Sequence, residues 1–365
     1  MIFINGEAFK IGNDFITDTR NTNHLPPYTI RLRYRDGDTP TFNHGGTAVQ
    51  ISSSPNIWDL TYENSNWSHL LRNQYTSDMH LLEVLEANTT GVTNMTYLFY
   101  QCKALSRVAF FDTSNVTSTW SMFQGCETLT SVPLYDLSNL TDMRYMFHGC
   151  SLLTSIPHFN TSNVIRMMGT FGGTGITTIP LLDTSNVTDM SGMLGGCKSL
   201  VYVPLLNTSS NTSTSYMFQG CELLTSIPLL NCSNVTQTDH MFDGCISLTS
   251  IPQLDISKVT NASNMFNGCS SLTSIPLMDT SKIRDMAVMF QNCISLTLIP
   301  LFDTSSVTNM NGMFSGCVNV QSGALALYQQ ASTQGSPTHY ATFRNCGSNT
   351  TTGAAELAQI PDDWK

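Results

Sequence analysis

Charge is what this chain has least of. Only 12% of its 365 residues are Asp, Glu, Lys or Arg, roughly half the share usual in soluble proteins. The balance is acidic, with a formal net charge of −10. A basic surplus is therefore missing, and with it the electrostatic footprint that nucleic-acid binding needs. No apolar run reaches the length of a bilayer span, so no membrane insertion is expected. The start, Met1-Ile-Phe-Ile-Asn-Gly-Glu-Ala-Phe-Lys10, lacks the basic head and apolar centre of a signal peptide. There is no Cys-x-x-Cys pair and no column of histidines, so no metal site is expected. The eight histidines are scattered, and none is spaced against a repeated Ser or Cys as a nucleophile and base would be. Gly172-Gly-Thr-Gly175 lacks the lysine of a phosphate-binding loop and reads as a defect in a repeat. A non-enzymatic protein without a cofactor is expected.

What is there is a 24-residue period. Cysteines recur at Cys102, Cys126, Cys150, Cys197, Cys221, Cys245, Cys269, Cys293 and Cys317, with Thr174 in the one vacant place, followed by a one-residue deletion. Fixed-period self-similarity of this length marks a solenoid, in which each turn buries itself only against its neighbours. Stacking also explains the low charge. Like charges in a column about 4.8 Å apart repel, whereas hydroxyls and amides can bond along it.

Each turn is numbered from its leucine, as in Leu105, Leu129 and Leu153. Position 4 is Ile or Val, and position 5 is Pro in every turn from Pro133 to Pro300. Proline brings no N–H to a ladder, so the strand is expected to end there. Position 7 is always apolar and expected in the core; position 6 admits His158 and Gln253 and is expected to be at best partly exposed. Position 8 is Asp or Asn throughout, and its side chain is expected to bond the backbone two residues on rather than to form a calcium ladder. Apolar residues at positions 12, 15, 18 and 19 have the spacing of a short helical segment, ended by Gly at position 21. Parallel Cα–Cβ vectors within one column do not favour disulfides, so the thiols read as small buried fillers.

The chain divides into four parts. Residues 1–25 form a hairpin or attachment segment around Asn5-Gly6, a strong hairpin signal. Residues 26–80 read as a β-rich module capping the first turn, with a helix expected near Ser68 to Gln74. Residues 81–317 are the solenoid. Residues 318–365 are a C-terminal cap with an inserted helix at Gly323–Ala331 and an interrupted last turn, its Phe343-x-x-Cys346 motif followed by a strand at Leu357-Ala-Gln-Ile360-Pro361.

The free positions indicate where binding could occur. Positions 16, 17 and 20 carry aromatics in the early turns, at Tyr97, Tyr100, Trp120, Tyr145 and His148, and small or polar residues later. Such rings suit recognition surfaces and stack on sugars; the plainer reading is that they pack onto the N-terminal cap or are scattered surface apolars that need no explanation. The strand face, with Thr130, Ser131, Thr154, Ser155, Thr225 and Ser226, is polar and repetitive, and its hydroxyls could simply form a ladder that holds the sheet together.

Leu181-Leu-Asp-Thr-Ser-Asn-Val-Thr-Asp-Met-Ser-Gly-Met193 and Ser306-Val-Thr-Asn-Met-Asn-Gly-Met-Phe-Ser-Gly-Cys317 resemble the repeats of BspA-like leucine-rich-repeat surface proteins, over about two thirds of the chain. The resemblance implies an α/β solenoid, a right-handed leucine-rich-repeat superhelix. About ten 24-residue turns are expected, each with a short parallel strand and a short helical segment, under a small β-rich N-terminal cap. It implies adhesion to a host-surface receptor or glycan, and binding through the strand sheet. Members occur on bacterial surfaces and in phage genomes. Without a signal peptide, a virion protein such as a tail fibre is expected ahead of a bacterial cell-surface or non-classically exported one. Residues 1–80 would meet other virion or surface proteins. The alternative is a structural virion decoration anchored through that N-terminal part.

Overall fold

The computed structural model describes residues 2–4, 7–9, 25–40, 46–62, 64–68, 70–71, 80–335 and 337–365. The Asn5-Gly6 turn and most of the helix expected near Ser68 to Gln74 fall outside them. Strands β1 (Ile2–Ile4) and β2 (Glu7–Phe9) pair antiparallel. A five-stranded sheet follows, with β3 (Thr29–Tyr34), β4 (Gly46–Ser53), β5 (Asn56–Tyr62), β6 (Leu81–Asn88) and β7 (Arg107–Val108) in the order β4-β5-β3-β6-β7. The pivot is β6. It pairs antiparallel with β3 on one edge and parallel with β7 on the other. One strand thus closes the antiparallel sheet and starts the parallel stack, and its Leu81 and Val84 are buried in one core with Trp67, Leu70 and Leu71.

Beyond β7 the chain stacks as a solenoid held by single parallel bridges. They join Asn94 to Ser118, then to Asp142, Arg166 and Asp189, and continue coil by coil to Asn309 and Thr338. This ladder runs through position 14, not through the Leu-Thr-Ser-Ile segment where the continuous strand was expected. On that segment the bridges are few, Thr178 to Tyr202 and Leu298 to Ser322. Proline at position 5 limits pairing there, as expected from its missing donor.

The expected helical segment is not a helix. Among the described residues, α-helix occurs only in α1 (Ala324–Gln334) and α2 (Thr351–Leu357). Positions 15–22 form consecutive tight turns instead: the amides of Leu98, Tyr100 and Cys102 donate to the carbonyls of Met95, Tyr97 and Phe99. The alternate amides of Tyr97, Phe99 and Gln101 reach Trp120, Met122 and Gln124 in the next coil. A helix would spend every amide within its own segment. Sending half of them to a neighbour requires left-handed backbone at positions 17 and 21, as at Tyr145 (φ 53°) and Gly244 (φ 74°). Consecutive turns share the helix's three-residue apolar spacing, so the pattern fits both.

Val288 also holds a left-handed conformation, φ 60°, which is costly for a β-branched residue. Val288→Asn, matching Asn264 one coil earlier, is expected to raise stability by about 1 kcal/mol. Urea titration checks this; an unchanged midpoint would mean that no strain was relieved.

The core is a set of stacked columns. Phenylalanines at position 19 lie ring on ring; Phe218 and Phe242 have centroids 5.5 Å apart and planes within 5°. Methionines at position 18 are fully buried. All eleven cysteines are free and buried, and those in the column do more than fill space. Cys126 Sγ donates to the Phe99 carbonyl at 3.1 Å and Cys245 Sγ to Phe218 at 3.0 Å. Burial pushes the Cys245 thiol up to about 12, so these sulfurs stay protonated donors. Thr174, in the vacant place, gives its hydroxyl to the Phe171 carbonyl instead.

Buried threonines at position 9 supply a ladder that the sequence pattern did not single out. Thr113, Thr184 and Thr280 donate to the carbonyls of Asp136, Asn207 and Asp303 in the following coil. The acidic column at position 8 does what turn chemistry predicts: Asp136 and Asp279 accept the amides of Ser138 and Ser281. Position 6 departs from expectation. From Phe110 to Leu301 its apolar residues are 54–63% exposed.

At the C-terminus α1 forms where expected, and Phe343 extends the ring stack from Phe314. Residues 357–361 are not a strand. Thr350 caps α2 by accepting the Gly353 amide, and the helix runs through Leu357. Trp364 ends the stack, 6.2 Å from Phe343.

Candidate functional site

Positions 16, 17 and 20 share one ridge because the turn geometry points them away from the Met–Phe core. A left-handed residue at 17 throws its ring toward the next coil. The expected aromatics are accordingly half-buried, and they separate into two groups.

In the first, Tyr97 packs on Tyr100 and on Trp120, with centroids 5.3 and 5.1 Å apart. The Arg144 guanidinium lies 4.5 Å over the Trp120 ring while gripping the Asp142 carboxylate with two nitrogens, at 2.9 and 2.6 Å. These rings pack on one another.

In the second, Tyr145 and His148 meet edge to face at 5.6 Å and form one wall of a slot. Glycine at position 17 of the next coil is what opens it. The Tyr145 ring lies where a side chain on Gly169 would be, and its hydroxyl donates to Met168 Sδ at 3.0 Å. Gly192 and Gly195 continue the floor, and Tyr216 makes the far wall. The cavity measures about 350 Å³ and is also lined by Ser191 and Gln219, within the range of small-ligand sites.

Both walls are braced. Tyr216 stacks on His240 at 4.6 Å with planes 9° apart, and His240 Nδ1 sits 2.9 Å from an Asp243 oxygen that also accepts from Gln219. His148 Nδ1 is buried without a hydrogen-bond partner. Burial lowers its pKa from the ordinary value, partly offset by the Gly169 backbone, so the imidazole stands neutral at pH 7.

The sequence pattern found Tyr145 and His148 but missed Tyr216, His240 and the glycine floor. Gly172-Gly-Thr-Gly175 reads as a lapse in the repeat, whereas two consecutive coils with small residues at positions 17 and 20 make the hollow. The signal was present in those two columns, as an interval between rings rather than a ring. On the strand face Thr130, Ser131, Thr154, Ser155, Thr225 and Ser226 are exposed as expected.

The described residues hold no group of three or more His, Cys, Asp or Glu placed to bind a metal. No helix among them is long and apolar enough to cross a membrane.

Comparison with known proteins places the repeats. The model of a family described as "Mycoplasma protein of unknown function, DUF285" matches residues 70–178, 130–222, 174–277 and 270–334. No curated protein matches. Among solved structures the chain is similar to a leucine-rich repeat protein from Bacteroides ovatus ATCC 8483, at 19% identity, covering 78% of this chain and 76% of that one with a TM-score of 0.42. It is also similar to one from Eubacterium ventriosum ATCC 27560, at 16% identity, covering 64% and 75% with a TM-score of 0.36.

Proposed function

The chain belongs to the DUF285 family, and on that premise we propose that it is a non-enzymatic recognition protein that binds a host-surface glycan or receptor. The observation that carries this reading is the slot between Tyr145 and Tyr216. Two braced aromatic walls over a glycine floor suit a flat ring with apolar C–H faces and hydroxyl edges, which is what a pyranose presents. Ser191, Gln219 and the neutral His148 bring hydroxyl, amide and imidazole groups to its lining. Tyr97, Tyr100 and Trp120, covered by one another, serve under this proposal to hold the neighbouring coils rather than to contact ligand.

The BspA-like resemblance supports an exposed setting, on a phage virion as a tail fibre or on a bacterial surface. The N-terminal 80 residues would then make the attachment.

The test is a titration of wild type and Tyr145→Ser/Tyr216→Ser against host cells and a glycan panel, with circular dichroism confirming the fold. The double variant is expected to bind at least about tenfold more weakly. Equal binding by both proteins would remove the slot from the proposal. Absence of saturable binding by wild type would favour the alternative, a structural decoration.

A further inference from the structure

Position 6 holds more exposed large apolar residues than any other column of the described solenoid. Phe110, Leu134, Leu181, Leu205, Leu229, Leu277 and Leu301 stand in one column, each residue 54–63% exposed. Together they present several hundred Å² per chain, on the order of what one partner contributes to a standard protein interface.

Two polar residues interrupt the column, and their places are symmetric. Counted by coil, the order is Phe110, Leu134, His158, Leu181, Leu205, Leu229, Gln253, Leu277, Leu301. Read from either end, the polar residue comes third and Leu205 stands at the centre. We propose that this column is the interface of an antiparallel homodimer, with the two-fold axis passing at Leu205.

The axis lies in the plane of contact and across the column, so coil order reverses from one copy to the other. Leu181 then meets Leu229 of the second copy, Leu134 meets Leu277, and Phe110 meets Leu301. His158 faces Gln253, a pair able to hydrogen-bond in the middle of an apolar contact, so no polar group is left against leucine. A single patch meeting itself in this way closes as a dimer and does not propagate into a fibre. Between His158 and Leu205 the face opens into a groove of about 450 Å³ walled by Asn160, Asp183 and Asn207. It receives Leu205, Leu229 and Gln253 of the second copy.

The same operator brings the position 8 columns to one flank. There Asp136 faces Asp279 of the second copy, and Asp112 faces Asp303. At the centre Asn207 meets itself and Asp183 meets Asn231. The carboxylates therefore oppose each other only toward the ends, and association is expected to strengthen as salt screens them.

Sedimentation velocity on the full chain tests the proposal. The wild type is expected to be dimeric at about 100 µM, and Leu205→Asp, a change at an exposed side chain, to raise the dimer Kd at least about tenfold. His158→Lys alone places lysine opposite glutamine and is expected to retain the dimer; His158→Lys/Gln253→Lys places lysine opposite lysine and is expected to weaken it at least about tenfold. A monomeric wild type, or a dimer that Leu205→Asp leaves intact, overturns the interface. A dimer weakened as much by His158→Lys alone as by the double variant overturns the antiparallel arrangement, because a parallel pairing would set residue 158 against itself.

Discussion

Phe242→Ala is expected to lower the unfolding free energy by about 3–5 kcal/mol, the range for truncating a buried phenylalanine. Phe242 is fully buried, and its ring lies between those of Phe218 and Phe266, at 5.5 and 5.4 Å with planes within 9°. The deletion therefore opens a gap on two interfaces at once. Because each coil touches only its neighbours, the loss is local in space but divides the array. Urea denaturation followed by circular dichroism is expected to show an earlier transition that separates into two steps. Phe242→Leu is the control: Leu194 already occupies this column, fully buried, so leucine is expected to cost about 1 kcal/mol. A loss below that figure for the alanine variant would show that the ring column is not what holds adjacent coils.

The second large effect is expected at the C-terminal end. Gly353 is buried in α2, and a Cβ there would overlap the Val320 carbonyl oxygen and lie 2.7 Å from Gly347 Cα. Both obstacles are backbone, so neither can rotate away. Gly353→Ala is expected to lift α2 from the last coil at a cost of about 2–3 kcal/mol. An uncovered end coil exposes backbone and apolar side chains that repeat arrays otherwise cap. Faster proteolysis within residues 345–365 and concentration-dependent light scattering are the expected signs. Ala355→Ser, on the exposed side of the same helix, is expected to change neither. Wild-type behaviour of Gly353→Ala would mean that α2 is not the cap.

Column identity carried most of the core. Leu153, Met193, Phe218 and Cys245 are buried as their recurrence predicts, because a side chain repeated in every coil faces the same neighbours in every coil. Turn chemistry was equally legible: an Asp or Asn two residues before a serine amide needs only local geometry to bond it, and Asp136 does so. Apolar spacing did not distinguish a helix from the turns at positions 15–22. Both put an apolar residue on one side every third position, and they differ only in where the amides of residues such as Tyr97 and Phe99 go.

The candidate site was half legible. Tyr145 and His148 stand out as rings in variable columns. Whether a ring is covered depends on the neighbouring coil: Trp120 covers Tyr97, while Gly192 and Gly195 leave the space beside Tyr145 open. A cavity is made by what is absent from adjacent coils, and composition along one coil does not register it.

By itself, then, the sequence determined the period, the members of each stacked column, and the local bonds of the position 8 turns, because each of these follows from one residue type recurring against copies of itself. Tertiary structure alone decided three things. Amide direction turned the expected helices into left-handed turns; the glycine interval made a slot out of an aromatic ridge; and the packing of the coils left the position 6 leucines outside. All three depend on contacts between different columns, and no single column contains them.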